Sequence, residues 1–130
     1  MSGILRILVI DDEPSVRQQV EDMLSRRGHV VRSAMSGEEG LGFALSDTYD
    51  VALIDVRMPG IDGVETMHEI HRIKPGLPVV LMSGYSDVDS ANMIAEGAAA
   101  WLDKPFTDIE NVCETLTRVS EGGSDSCGNP

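Results

Sequence analysis

Five short apolar runs punctuate the chain: Ile7-Leu8-Val9-Ile10, the segment His29 to Ala34, Val51-Ala52-Leu53-Ile54, Val79-Val80-Leu81-Met82 and Ala99-Ala100-Trp101-Leu102. Runs of four or five apolar residues bounded by turn signals read as strands buried on both faces. Amphipathic stretches with helical spacing separate and succeed them. Strands that alternate with helices build βαβ units, whose parallel sheet is covered by helices on both sides. The expected fold is therefore α/β, a five-stranded parallel sheet with five helices.

The helices have readable ends. The first begins near Pro14, carries Val16, Val20, Met23 and Leu24 on one face, and stops at Gly28. Ser36 opens the second as a capping box, accepting from the Glu39 backbone while the Glu39 carboxylate reaches back. Gly40 and Gly42 each weaken that helix by about 1 kcal/mol relative to Ala, which makes it the least stable expected element. Asp62 caps the third, with Glu65 in the reciprocal position and Val64, Met67 and Ile70 facing inward; Pro75 and Pro78 frame its exit. The fourth is expected from about Asp87 to Glu96, ending at Gly97, and is rich in small and polar residues that bury little area. The fifth presents Ile109, Val112, Cys113, Leu116 and Val119 on one face.

The residues just after each strand narrow the chemistry. The first strand runs into Asp11-Asp12-Glu13, and the third into Asp55 and the turn Val56-Arg57-Met58-Pro59-Gly60. The fourth runs into Ser83-Gly84 and the last into Asp103-Lys104-Pro105. Functional groups of parallel sheets gather at the carboxyl ends of the strands. Acids from two strands would then share one rim, where carboxylates repel one another unless a cation intervenes. Each Asp alone would pass for a turn or cap residue; four strand ends with matched chemistry do not.

This constellation resembles the receiver domain of two-component response regulators, over roughly residues 4–119. The resemblance implies the doubly wound strand order 2-1-3-4-5, which sets the first and third strands side by side. It also implies that Asp55 takes a phosphoryl group from a sensor histidine kinase or a histidine phosphotransfer protein in a Mg²⁺-dependent reaction. Asp12 and Asp55 would bind Mg²⁺ directly, Asp11 mainly through water, and the backbone carbonyl of Arg57 would complete the protein ligands. Ser83 would hydrogen-bond the phosphoryl group and Lys104 would pair with it, aimed by a cis Lys104–Pro105 bond. Trp101, at a position usually held by Tyr or Phe, would be the switch aromatic alongside Ser83, and Arg57 and Tyr85 would tune the approach of water.

As the resemblance has it, the domain is no metabolic enzyme, although it helps catalyse its own phosphorylation and dephosphorylation. Phosphorylation would change the surface around the fourth helix, fifth strand and fifth helix, which a downstream protein or output domain reads. A phosphorylation-dependent homodimer stays open, but the fourth helix has no basic residue for the dimer contact that some relatives make. The alternative is a pseudo-receiver, a protein-binding module that works without phosphorylation. Two rivals fit less well. A flavin carrier needs a phosphate-cradling loop after the first strand, and an aspartate-nucleophile phosphatase usually spaces its first acids by one residue and adds a cap region.

Composition changes the picture in a few places. A chain of 130 residues fits one domain, expected over 1–119, with 120–130 a flexible tail or the start of a linker. The first strand lies close to Met1, so the expectation is a single-domain regulator or the N-terminal receiver of a longer one. A net charge of −12 argues against direct nucleic-acid binding and against docking on an anionic membrane. No run of 18 apolar residues and no signal-peptide pattern occurs, so the expected compartment is the cytoplasm. Cys113 reads as a small core residue and Cys127 as part of the tail, without a disulfide framework. His68 and His71 share a helix face, but two histidines without a third ligand read as solvated surface, and His29 as a loop residue.

Overall fold

The computed structural model describes residues 4–84, 94–103 and 108–121. Its strands are β1 (Arg6–Ile10), β2 (Val30–Ala34), β3 (Val51–Asp55), β4 (Val79–Ser83) and β5 (Ala100–Asp103). All pair in parallel in the order β2-β1-β3-β4-β5, the order that the family resemblance implies. Helices α1 (Pro14–Arg26), α2 (Gly37–Ser46), α3 (Gly63–Ile73) and a C-terminal helix (Ile109–Ser120) surround the sheet. Of the expected fourth helix, Ile94–Glu96 are helical and 87–93 lie outside the described residues.

Two cores explain why β1, β3 and β4 read as continuous apolar runs. Side chains alternate across a strand. Ile7, Val9, Val51, Leu53, Val80 and Met82 enter one core with Val20 and Leu24 of α1 and Val112, Leu116 and Val119 of the C-terminal helix. Leu8, Ile10, Ala52, Ile54, Val79 and Leu81 enter the other with Ala44 of α2 and Met67 and Ile70 of α3. A sheet covered on both faces has no water-facing side to mark with polar residues.

The caps bear out most of the helix readings. Asp62 accepts from the Glu65 N–H at 2.9 Å while Glu65 accepts from the Asp62 N–H at 3.2 Å, a complete capping box. Ser36 accepts from the Glu39 N–H at 3.1 Å, but the Glu39 carboxylate takes the Met35 N–H at 2.8 Å instead of that of Ser36. The reciprocal half is thus displaced by one residue. His29 is more than a loop residue: its Nδ1 accepts the Leu5 N–H at 3.0 Å, and partial burial pushes its pKa down. Cys113 sits half-buried at the edge of the core, where burial pushes its thiol up.

The two glycines of α2 differ in kind. A Cβ on Gly40 would stand 2.2 Å from Cδ1 and 2.8 Å from Cγ1 of the fully buried Ile10, so Gly40 lets α2 approach β1. A Cβ on Gly42 would meet nothing. Gly42→Ala should therefore stabilise the fold by about 0.5–1 kcal/mol through helix propensity. Gly40→Ala should destabilise it by about 1–3 kcal/mol through overpacking. Urea unfolding of the two variants, compared at equal m-value, checks the opposite signs.

Candidate functional site

Where β1 ends, Asp11 is still bound to the sheet, since its N–H donates to the Ala34 carbonyl at 3.1 Å. Its side chain is fully buried, and Oδ1 accepts the Glu13 N–H at 2.9 Å, which turns the chain sharply into α1. Arg17, one turn into α1, donates from Nη1 to the Asp11 carbonyl at 2.9 Å. These bonds fix the direction of the acid pair, with Asp11 facing inward and Asp12 partly exposed beside it.

Asp55 closes β3 and is 5% exposed. The sheet pairing continues past it, because the Val56 N–H donates to the Met82 carbonyl at 2.9 Å. The Arg57 N–H points at Asp55 Oδ1 across 3.4 Å. Gly63 N–H then donates to the Val56 carbonyl at 2.9 Å, seating the start of α3 on the strand end. That seat has no room for a side chain: a Cβ on Gly63 would lie 2.2 Å from the Asp55 carbonyl oxygen and 2.7 Å from Val56 Cα.

Because β1 and β3 are neighbours, the acids of both strand ends meet. Asp11, Asp12 and Asp55 each offer a carboxylate oxygen within 4.8 Å of the others, and they form the single such group of potential metal ligands among the described residues. Three hard oxygen donors at this spacing, two of them buried, suit a divalent cation such as Mg²⁺ better than a soft metal. Ser83 ends β4, the strand beside β3, with 2% exposure. An open depression of about 590 Å³, lined by Val56, Arg57, Met58, Pro59 and Asp62, lies beside Asp55. Met58 is a packing residue there, and the Arg57 side chain is exposed.

Trp101 on β5 is partly buried against the core that contains Leu81, and its indole Nε1–H donates to Asp103 Oδ1 at 3.0 Å. Lys104, Pro105 and Tyr85 lie outside the described residues. The two histidines of α3 behave differently from each other. His68 Nε2 lies 3.0 Å from Glu96 Oε1, whereas burial, and secondarily His68, lowers the pKa of the half-buried His71. Sequence reasoning missed Arg17, Gly63 and Asp103. Only Asp103 left a trace, since residues i and i+2 of a strand share a face.

Comparison with known proteins agrees with this geometry. Residues 7–117 match the response regulator receiver domain family. The DNA-binding transcriptional regulator NtrC of Salmonella typhimurium is 37% identical over 114 residues, which cover 87% of this chain and 24% of that protein. The transcriptional regulatory protein ZraR of Escherichia coli K12 is 36% identical over 114 residues, covering 87% and 26%. The chain thus spans about a quarter of the length of these relatives. Among solved structures, chemotaxis protein CheY4 of Vibrio cholerae is similar with a TM-score of 0.81 at 31% identity, covering 90% of this chain and 99% of that one.

Proposed function

Because the chain belongs to the response regulator receiver domain family, we propose that it is a phosphorylation-driven signalling switch with Asp55 as its phosphoacceptor. The observation that carries this reading is the meeting of the Asp11, Asp12 and Asp55 carboxylates within 4.8 Å, on strands flanked by buried Ser83. An ionised carboxylate is an oxygen nucleophile. An Asp55 oxygen bonds to the phosphorus of a phosphohistidine while the phosphorus–nitrogen bond breaks, and the imidazole leaves with the electron pair.

Asp12 and Asp55, with Asp11 through water and the Arg57 carbonyl, would hold Mg²⁺, which when bound neutralises the crowded acids and the phosphoryl oxygens. The Ser83 hydroxyl donates to a phosphoryl oxygen, and the Lys104 ammonium pairs with the added charge. Phosphorylation adds charge and acceptor oxygens at one end of the sheet. Ser83 and Lys104 draw toward them, and the surface formed by the segment before β5, β5 itself and the C-terminal helix shifts with them. Only the better fit of the phosphoryl group to that second arrangement drives the shift.

The phosphoryl donor is a sensor histidine kinase or a phosphotransfer protein, and the reader is an output domain or a separate downstream protein. NtrC is a DNA-binding regulator by name, but a chain of net charge −12 repels nucleic-acid phosphates, so any contact with DNA belongs to the output part. No described helix is long and apolar enough to cross a membrane. In this reading the switch works in the cytoplasm, beside the kinase domains that feed it.

Intact mass after incubation with acetyl phosphate and Mg²⁺ tests the reading. One added phosphoryl group is expected, absent with EDTA and absent in Asp55→Asn. Equal modification of that variant would move the acceptor elsewhere. A wild type that stays unmodified, yet binds its partner equally with and without donor, would make the chain a pseudo-receiver.

A further inference from the structure

We infer that Asp103 is a positioning residue of the switch: its carboxylate latches the Trp101 indole and sets how much phosphoryl input the ring needs before it moves. The inference rests on the receiver reading above and extends it to a residue outside the acid cluster. The register of β4 and β5 carries it. Leu81 is paired with Trp101 and Ser83 with Asp103. With side chains alternating along each strand, Leu81, Ser83, Trp101 and Asp103 share one face of the sheet. Leu81 and Trp101 belong to the same core, which confirms that face. Asp103 therefore stands beside the buried hydroxyl of Ser83 and also holds the indole Nε1–H at 3.0 Å.

The latch depends on two residue choices acting together. A ring without an N–H, such as Phe, has nothing to donate, and a strand residue without an acceptor has nothing to receive it. An ionised acceptor makes the stronger kind of hydrogen bond. The exposed position of Asp103 keeps the bond at ordinary net strength. Any rearrangement at Ser83 that swings the indole away must first break this bond. A bond present in one arrangement and absent in the other biases the equilibrium by its own free energy.

Beryllium fluoride with Mg²⁺, titrated while the bound fluoride is read by fluorine-19 NMR, measures that bias. Asp103→Ala should lower the titration midpoint about five-fold, the factor that a hydrogen bond of ordinary net strength supplies. The rival cause of such a shift is the loss of a negative charge near an anionic analogue, and Asp103→Asn, which loses the same charge, separates the two. The Asn amide oxygen still accepts from the indole, so its midpoint should stay within about two-fold of wild type. In a Trp101→Phe background, Asp103→Ala should change nothing further. Equal midpoints for wild type and Asp103→Ala, or an Asn variant that tracks Ala, would overturn the latch while leaving the receiver reading intact. No bound fluoride in the wild type would overturn both.

Discussion

Gly63→Ala should destabilise the domain by about 3 kcal/mol and lower its melting temperature by about 10 °C. The reason is contact with backbone, which cannot rotate out of the way. The new Cβ would lie 2.2 Å from the Asp55 carbonyl oxygen and 2.8 Å from its carbonyl carbon, so α3 must lift from the end of β3. Lifting stretches the bond from the Gly63 N–H to the Val56 carbonyl, now 2.9 Å, which adds roughly 1 kcal/mol to the cost of overpacking. Ala improves helix propensity by up to about 1 kcal/mol in a helix interior, and by less at this first position, so it does not reverse the sign. A loss of this size leaves a domain of ordinary stability folded. The same variant therefore reports on function: Asp55 is displaced from Asp11 and Asp12, and phosphorylation by acetyl phosphate should slow while Asp55 itself is intact. Thermal unfolding alongside the rate checks both parts. A variant that melts within about 2 °C of wild type, roughly the shift from half a kcal/mol, would show that the seat yields without cost.

Asp12→Ala should have the opposite effect on the metal-free domain. Unit charges of like sign a little under 5 Å apart repel by about 3 kcal/mol at the effective dielectric of a protein surface. Asp12 is partly exposed, and the neighbouring acids keep hydrogen-bonding or ionic partners, so the relief expected on removing it is about 1 kcal/mol. The variant should melt higher than wild type in EDTA. It should then lose most of the rise that Mg²⁺ gives the wild type, because a ligand of the native state stabilises only in proportion to its affinity. Added salt should narrow the difference in EDTA, as screening weakens the repulsion first at the exposed member. An Asp12→Ala protein that melts lower than wild type without metal would mean that Asp12 is held by favourable contacts and is not crowded.

The central strands β1, β3 and β4 were legible in the sequence because they are buried on both faces and so read as unbroken apolar runs, whereas the edge strand β2, Val30–Ala34, is only partly covered and mixes in Arg32 and Ser33. The Asp62 capping box was legible because both partners lie within one turn of the chain. The Ser36 box was legible only in half. Which N–H the Glu39 carboxylate takes depends on the path by which the chain leaves β2, and that path delivers Met35.

The alternation of strands and helices, the acids at the ends of β1 and β3, the hydroxyl at the end of β4 and the family to which these belong are readable from the amino-acid order alone. All of these are properties of short segments, written in hydrophobic period and in the residue that succeeds each strand. What depends on distance across the chain emerges only on folding. Gly40 weakens α2 by propensity, yet it makes room for Ile10; Gly63 admits the backbone of Asp55, and His29 takes the N–H of Leu5. Arg17 holds the Asp11 carbonyl from the next helix, and Asp103 holds the indole beside Ser83. Close approach and through-space hydrogen bonding are set by how elements pack, and no local pattern encodes the packing distance between residues that meet only after folding.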